Sequence, residues 1–404
     1  MDSGSDPMCD GPPVGRTMNQ ERGFKLFYFL FFASFSGYAM FRNVYFEEIG
    51  LTGTQMGMIG FLIPMCTIVA QPLWGVLADW KGIGKRILYV SCLVAGLAML
   101  LYPIAPLTPA VFVVVAGITI IYAVFRAPAM PIANALVLST GMSYEGVRAY
   151  GSIAFGIAGL AIGYLIGVFD TVLIFLAYTA GMALIIGLLL FLPVDERPTV
   201  GRDLSLAAIR RLLDRQFVLL LTAAFVLGLM TPAGAAFFSV YVRAVGHPDA
   251  VTGMAWLVKT IAEAIVFVYV ARRGSGSYRR LMAVGGILYG ATYLVLWSTG
   301  SVGLIVLAQL MLGAGYALFN LASVNLAHVL APPALASTAQ SLLMVGGSSA
   351  GVAIGELGTG WLLDLVGAQE MYGVLAGLGL VVAVFALAIS VGSDDRLTAG
   401  SESV

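Results

Sequence analysis

The chain has 404 residues, 60% hydrophobic and 10% charged, and its 21 basic and 21 acidic side chains cancel. A mean hydropathy of +0.95 excludes a water-soluble globule, since about half the charge of an ordinary soluble domain is missing. Forty-nine glycines suit closely packed membrane helices, and long unbroken apolar runs exclude a barrel of alternating strands.

Residues 1–23 are polar, rich in Gly, Pro and Asp, and lack the apolar centre of a signal peptide, so they read as a disordered tail. Twelve apolar runs follow, at 24–46, 54–78, 87–104, 109–138, 149–169, 172–192, 217–242, 252–271, 281–298, 302–328, 338–362 and 370–391. A hydrocarbon core about 30 Å thick needs roughly 20 apolar residues per helix. The expected fold class is an all-α membrane protein of twelve transmembrane helices. Its parts are a bundle at 24–192, a linker at 193–216, a second bundle at 217–391 and a tail at 392–404.

Twelve spans put both termini on one side. The connections beginning at Trp80, Ser139, Pro193, Arg272 and Ala331 share that side and hold nearly all the loop cations, among them Lys81, Lys85, Arg86, Arg202, Arg215, Arg272 and Arg280. The opposite loops offer only Arg243. The positive-inside rule therefore predicts cytoplasmic termini in a multi-pass protein of the cell membrane. Within the linker, Leu204, Ile209, Leu212 and Leu213 have helical spacing suited to the membrane surface.

The two bundles are repeats. Val44-Tyr45, Gly50 and Gly57-Met58 recur as Val240-Tyr241, Gly246 and Gly253-Met254, offset by 196. Asp79 and Lys85-Arg86 recur as Arg272 and Arg279-Arg280, and Ala158–Gly163 recurs as Ala350–Gly355. Several groups in one order with so little drift indicate a parallel duplication of six helices, the plan of many secondary transporters.

Gly75, Asp79, Lys85 and Arg86 resemble the loop signature between the second and third helices of the major facilitator superfamily. Tyr144-Glu-Gly-Val-Arg148-Ala-Tyr-Gly-Ser152 with Phe155, and Ser337–Ser341 leading to Asp364, are similar to the branch of phenylpropionate permease, lactose permease and nucleoside-proton symporters. The resemblance covers residues 24–391 and implies the major facilitator fold, alternating access and a gating role for the Gly75–Arg86 loop. The arginine similar to Arg148 contributes to substrate binding in lactose permease, while Asn134 stands where an acid is common in the fourth helix. The fifth span lacks the Gly-Pro signature of polyspecific antiporters, which favours a symporter over an exporter or antiporter of drugs or metabolites.

Six charged residues fall within spans: Arg42, Arg126, Arg148, Lys259, Glu263 and Glu356. Each costs roughly 2.5 to 3.5 kcal/mol at a span centre, so each calls for a partner, a wet cavity or escape to the interface. Lys259 and Glu263 share a helix face four residues apart, with Trp256 beside them. A structural ion pair and a role in coupling both fit. Arg126 has no acid on its own helix and calls for Glu263, Glu356 or an anionic solute. Arg42 and Arg148 stand near span ends and suit either a cavity or the interface. Glu356 occupies the repeat position of Tyr164, and desolvation there favours proton binding. Gln309, Tyr316, Asn320 and Ser323 form a polar stripe, and His328 lies near a loop.

Four basic against two acidic residues point to an anionic or carboxylate-bearing solute. The candidate binding residues are Arg42, Arg126, Asn134, Arg148, Trp256, Lys259 and Asn320, with Glu263 and Glu356 as proton-coupling candidates. Glycines at 156, 159, 163 and 167, and at 347, 351, 355 and 358, predict close helix contacts, and Pro64, Pro128, Pro131 and Pro232 predict kinks. Cys9, Cys66 and Cys92 lack metal-ligand spacing, so no disulfide, metal or cofactor is expected. No nucleotide loop or Ser/His/Asp arrangement suggests an enzyme. The expected partners are a small solute, protons and the lipid bilayer, with no nucleic acid, for a monomeric carrier.

Overall fold

The computed structural model describes residues 14–139, 144–192, 212–273, 277–332 and 335–390. The first half comprises α1 (Val14–Glu48), α2 (Gly53–Lys81), α3 (Gly84–Met99), α4 (Val111–Arg126), α5 (Ala129–Ser139), α6 (Tyr144–Ile166) and α7 (Leu173–Phe191). The second comprises α8 (Arg215–Gly234), α9 (Phe238–Ala244), α10 (Asp249–Arg273), α11 (Tyr278–Ser298), α12 (Val302–Leu330), α13 (Ala336–Leu342), α14 (Ala350–Val366), α15 (Glu370–Ala376) and α16 (Leu378–Ala388). Among the described residues eleven helices are long and apolar enough to cross a membrane, and Tyr150–Ile166 adds a shorter apolar one.

Local chemistry sets several ends. Thr52 opens α2 with a capping box: its hydroxyl accepts from the Gln55 amide at 3.2 Å, while the Gln55 side chain accepts from the Thr52 amide at 3.0 Å. Gly82, at φ 60°, stops the same helix in the left-handed conformation. Asp214 caps α8 through the Phe217 amide at 2.8 Å. Proline acts unevenly: Pro128 lies in the break between α4 and α5, and Pro232 precedes that between α8 and α9, yet α2 runs on through Pro64 and Pro72. A 3-10 turn, Tyr102–Leu107, follows α3, and a π-helical segment, Leu343–Ser349, joins α13 to α14.

One boundary is corrected. The tail expected over residues 1–23 is already helical from Val14, where good helix formers and the Glu21–Lys25 pair at 2.6 Å carry α1 beyond its apolar run. Residues 1–13 and 391–404 lie outside the described residues, as does most of the expected linker helix; of its four apolar positions Leu212 is buried and Leu213 exposed.

Within the first half α1 packs on α6 and α7, and α4 on α2 and α3; within the second α11 packs on α12 and α16, and α8 on α14. The halves meet along two seams, α2 against α14 and α6 against α10, with a smaller contact of α1 on α9. Aromatic rings fill each interior. Tyr38, Tyr102, Tyr122 and Tyr178 are buried in the first half, and Tyr241, Tyr293 and Tyr372 in the second. Their hydroxyls are partly absorbed by neighbours, Tyr102 bonding Thr119 at 2.8 Å and Tyr372 donating to the Ala233 carbonyl at 2.7 Å.

Candidate functional site

A cavity of about 180 Å³ opens where α1, α6, α10 and α12 converge. Its first-half wall is Phe32, Arg148, Ser152 and Phe155; its second-half wall is Trp256, Lys259, Thr260, Glu263 and Tyr316. The α10 residues lie within two turns of one another, so helical periodicity presents them together.

The Lys259 ammonium lies 2.9 Å from Glu263, 4.2 Å from the centre of the Trp256 ring and 5.4 Å from that of Tyr316. Glu263 Oε1 makes this contact without hydrogen-bond geometry and has no other donor. The Trp256 indole N–H, buried in the wall, has no acceptor. Across the cavity Arg148 stacks on Phe32 at 4.2 Å and donates to the Ser152 hydroxyl at 3.1 Å. Phe155 meets Trp256 edge to face at 5.6 Å, closing one end with an aromatic contact between the halves. The site thus combines aromatic faces, one internally compensated ion pair and one guanidinium that no carboxylate among the described residues pairs with.

The other expected residues are placed elsewhere. Arg42 and Glu356 are 8% and 5% exposed and pair with each other at 2.6 Å, joining α1 to α14 outside the cavity. Arg126, expected to meet an acid or an anion, meets neither Glu263 nor Glu356 and stacks on Phe35 at 3.9 Å. Asn134 accepts from the Tyr28 hydroxyl. Asn320 lies one turn beyond Tyr316, half-buried and not in the cavity wall. Of the expected gating residues, Gly75 faces open space, Lys85 donates to the Leu192 carbonyl at 2.7 Å and Arg86 is exposed; the Asp79 side chain lies outside the described residues.

Sequence reasoning missed Phe32 and Thr260, and it missed three clasps at the Glu48 end of the molecule. The Asp364 carboxylate of α14 accepts from the Gly53 amide, the Thr54 amide and the Thr54 hydroxyl at 2.6 to 2.7 Å, capping α2 from the other half. Arg243 bridges Glu48 of the first half at 2.5 Å and Asp249 at 2.6 Å. Burial draws the Arg243 guanidinium pKa down, but its bonds to Asp249 and Glu48 outweigh this and raise it, so it stays charged. Arg42–Glu356 is the third clasp. Two carboxylates flanking a glycine at four-residue spacing, Glu356-Gly360-Asp364, are the signal that could have located this face.

The described molecule is therefore closed at the Glu48 end, with a mixed aromatic and charged cavity behind the closure. Comparisons with other proteins agree with this architecture. The chain is 29% identical to the maltose permease of Geobacillus stearothermophilus over 349 residues, covering 84% of this chain and 87% of that one. It is 25% identical to the "Probable 3-phenylpropionic acid transporter" of Escherichia coli over 264 residues, 62% of this chain and 66% of that one. The crystal structure of the nucleoside transporter NupG superposes with a TM-score of 0.78 at 17% identity, covering 92% of this chain and 99% of that one, which bears on the fold alone. The model of the MFS_1 like family matches residues 22–374, so the chain belongs to that family and is a multi-pass membrane transporter of the major facilitator type.

Proposed function

We propose that the protein imports a small carboxylate-bearing organic solute together with protons, by alternating access about the Arg148–Lys259–Glu263 cavity. The carrying observation is the charge balance of that cavity. Lys259 is compensated by Glu263, whereas among the described residues Arg148 is held by a hydroxyl and a ring face. A solute carboxylate supplies the missing negative charge, and Phe32, Phe155, Trp256 and Tyr316 supply faces for its carbon skeleton. The name of the phenylpropionic acid relative is in keeping with a carboxylate beside an aromatic surface, and that of the maltose permease with sugar stacking.

In this reading a proton on Glu263 frees Lys259 to join Arg148 in holding the anion. The loaded carrier then encloses a balanced set of charges, and a half-loaded one does not. Glu263 Oε1 faces the Lys259 ammonium at 2.9 Å, so a proton there would take the place of that pairing. By the loop charges, the Glu48 end faces outward and the termini lie in the cytoplasm of a plasma-membrane protein. The closed Glu48 end then corresponds to an inward-facing carrier.

Purified protein in vesicles tests the coupling. Glu263→Gln, a permanently protonated mimic, is expected to abolish accumulation of a carboxylate driven by a pH gradient while keeping exchange at equal pH. Normal uphill accumulation by that variant would falsify the assignment. Orientation is tested in a background free of native cysteines, where an impermeant thiol reagent should label Leu107→Cys from outside and spare Arg86→Cys.

A further inference from the structure

Lys259, Arg42 and Arg243 each face a carboxylate, at 2.9, 2.6 and 2.5 Å, and Arg148 bonds a hydroxyl. Arg126 differs. Among the described residues no carboxylate pairs with it, and its Nε is enclosed without an acceptor. Its guanidinium centre lies 3.9 Å from the Phe35 ring centre, 5.8 Å from Phe31 and 6.0 Å from Tyr122. Ring faces attract a cation but offer no lone pair in the guanidinium plane.

Two further donors stand beside it. Tyr122 and Tyr178 are fully buried with ring centres 5.7 Å apart, and the guanidinium centre lies 6.0 Å from the Tyr122 ring centre. Among the described residues the two hydroxyls have only each other for a partner, which leaves one O–H without an acceptor. Buried polar groups are ordinarily paired, so a positive charge beside a hydroxyl pair with one O–H to spare calls for an acceptor that the described residues do not supply. Arg126 itself keeps part of its surface exposed, and Phe35, on which it stacks, touches Phe155 of the cavity wall at 6.2 Å. A ligand would therefore meet the cluster at Arg126, its partly exposed member.

We propose that Arg126, Tyr122 and Tyr178 form an anion subsite in the first half, separate from the Lys259–Glu263 pair. It takes one carboxylate group or a small inorganic monoanion, with Arg126 as charge partner and the hydroxyl pair supplying the donor. The subsite does not depend on the assignment of Glu263 to coupling. Its anion comes either from a transported solute or from dissolved salt.

Calorimetric titration of the purified full chain with sodium acetate and with sodium chloride, at ionic strength held by a bulky sulfonate, tests this. Arg148→Gln with Lys259→Gln removes the cavity cations and serves as background. One acetate per chain is expected to bind there, at least tenfold more weakly once Arg126→Gln is added. Tyr122→Phe and Tyr178→Phe should each weaken it severalfold with little loss in the ligand-free unfolding temperature, because each hydroxyl has only the other as a protein partner. Displacement of acetate by chloride identifies a general monoanion site; resistance to chloride identifies a carboxylate site. Unchanged affinity in Arg126→Gln, or in both phenylalanine variants should Arg126→Gln fail to fold, overturns the proposal. So does an absence of binding in the background when the wild type binds. Failure of the Glu263 reading appears instead in gradient-driven transport and leaves these affinities untouched.

Discussion

Along α2 and α14, Gly53 and Gly57 lie against the Gly360 and Glu356 backbones, and a Cβ at Gly53 would stand 2.5 Å from the Gly360 carbonyl oxygen. Along α6 and α10, a Cβ at Gly253 would stand 2.7 Å from the Gly159 carbonyl oxygen, and one at Gly163 2.8 Å from that of Asp249. Backbone meets backbone in both. The first seam, however, is reinforced by the buried Arg42–Glu356 pair and ends in the Asp364 cap. The second has Asp249 at one extremity and runs at the other into Phe155, Trp256 and the cavity, where Lys259 pairs within α10 and not across the seam. Glycine contacts let helices slide, since no side chain interlocks, whereas separating a buried ion pair exposes two charges to an apolar surrounding. The α2–α14 seam is thus built to hold one state, and the α6–α10 seam to transmit what happens in the cavity.

The largest expected effect that would break this contrast lies at the charged seam. Arg42→Met or Glu356→Met alone should destabilise the closed state by about 3 to 5 kcal/mol, because each leaves a buried charge unpaired. The double variant should recover most of that, since apolar groups of similar volume replace the pair. Thermal unfolding in detergent reads both, and equal loss in single and double variants would show that packing, not charge, holds the seam. Next come the glycines. Gly57→Ala and Gly253→Ala should each cost about 1 to 3 kcal/mol by overpacking, while Gly75→Ala, with nothing within 4 Å, should leave stability unchanged or slightly raised. A matching loss at Gly75 would remove the argument from close approach. The smallest effects belong to the outer clasps. Asp364→Asn should cost about 1 kcal/mol through the weakened α2 cap, and Arg243→Gln, at a site 28% exposed, about 0.2 to 1 kcal/mol. A larger loss from Arg243→Gln than from Arg42→Met would reverse the ranking of the seals.

The legibility of these features followed distance along the chain. Lys259 and Glu263 were readable as a pair because four residues on one helix place them one turn apart, as found. Arg42 and Glu356 were each noted as costly charges, but 314 residues separate them, and no local pattern states that they meet. Arg126 was expected to find an acid or an anion because it lacked one nearby; its aromatic surroundings come from α1, brought against α4 only by folding. The Asp364 cap on α2 escaped notice for the same reason, since a helix N-terminus capped by its own preceding residue, Thr52, shows no need for a second partner from the other half.

Spans, repeat and family were determined by the sequence itself, because burial in a bilayer demands about twenty consecutive apolar residues whatever their neighbours, and duplication leaves matched residues at a constant offset. Even so, the continuation of α1 into the polar segment from Val14 and the unbroken course of α2 through Pro64 were decided by helix packing and local pairing. Only the tertiary structure decided which of six embedded charges line a cavity, which seal the seam and which is left with aromatic faces. An isolated charge within a span signals the cost of burial equally in all three settings, and the identity of its partner depends on which distant helix packs against it.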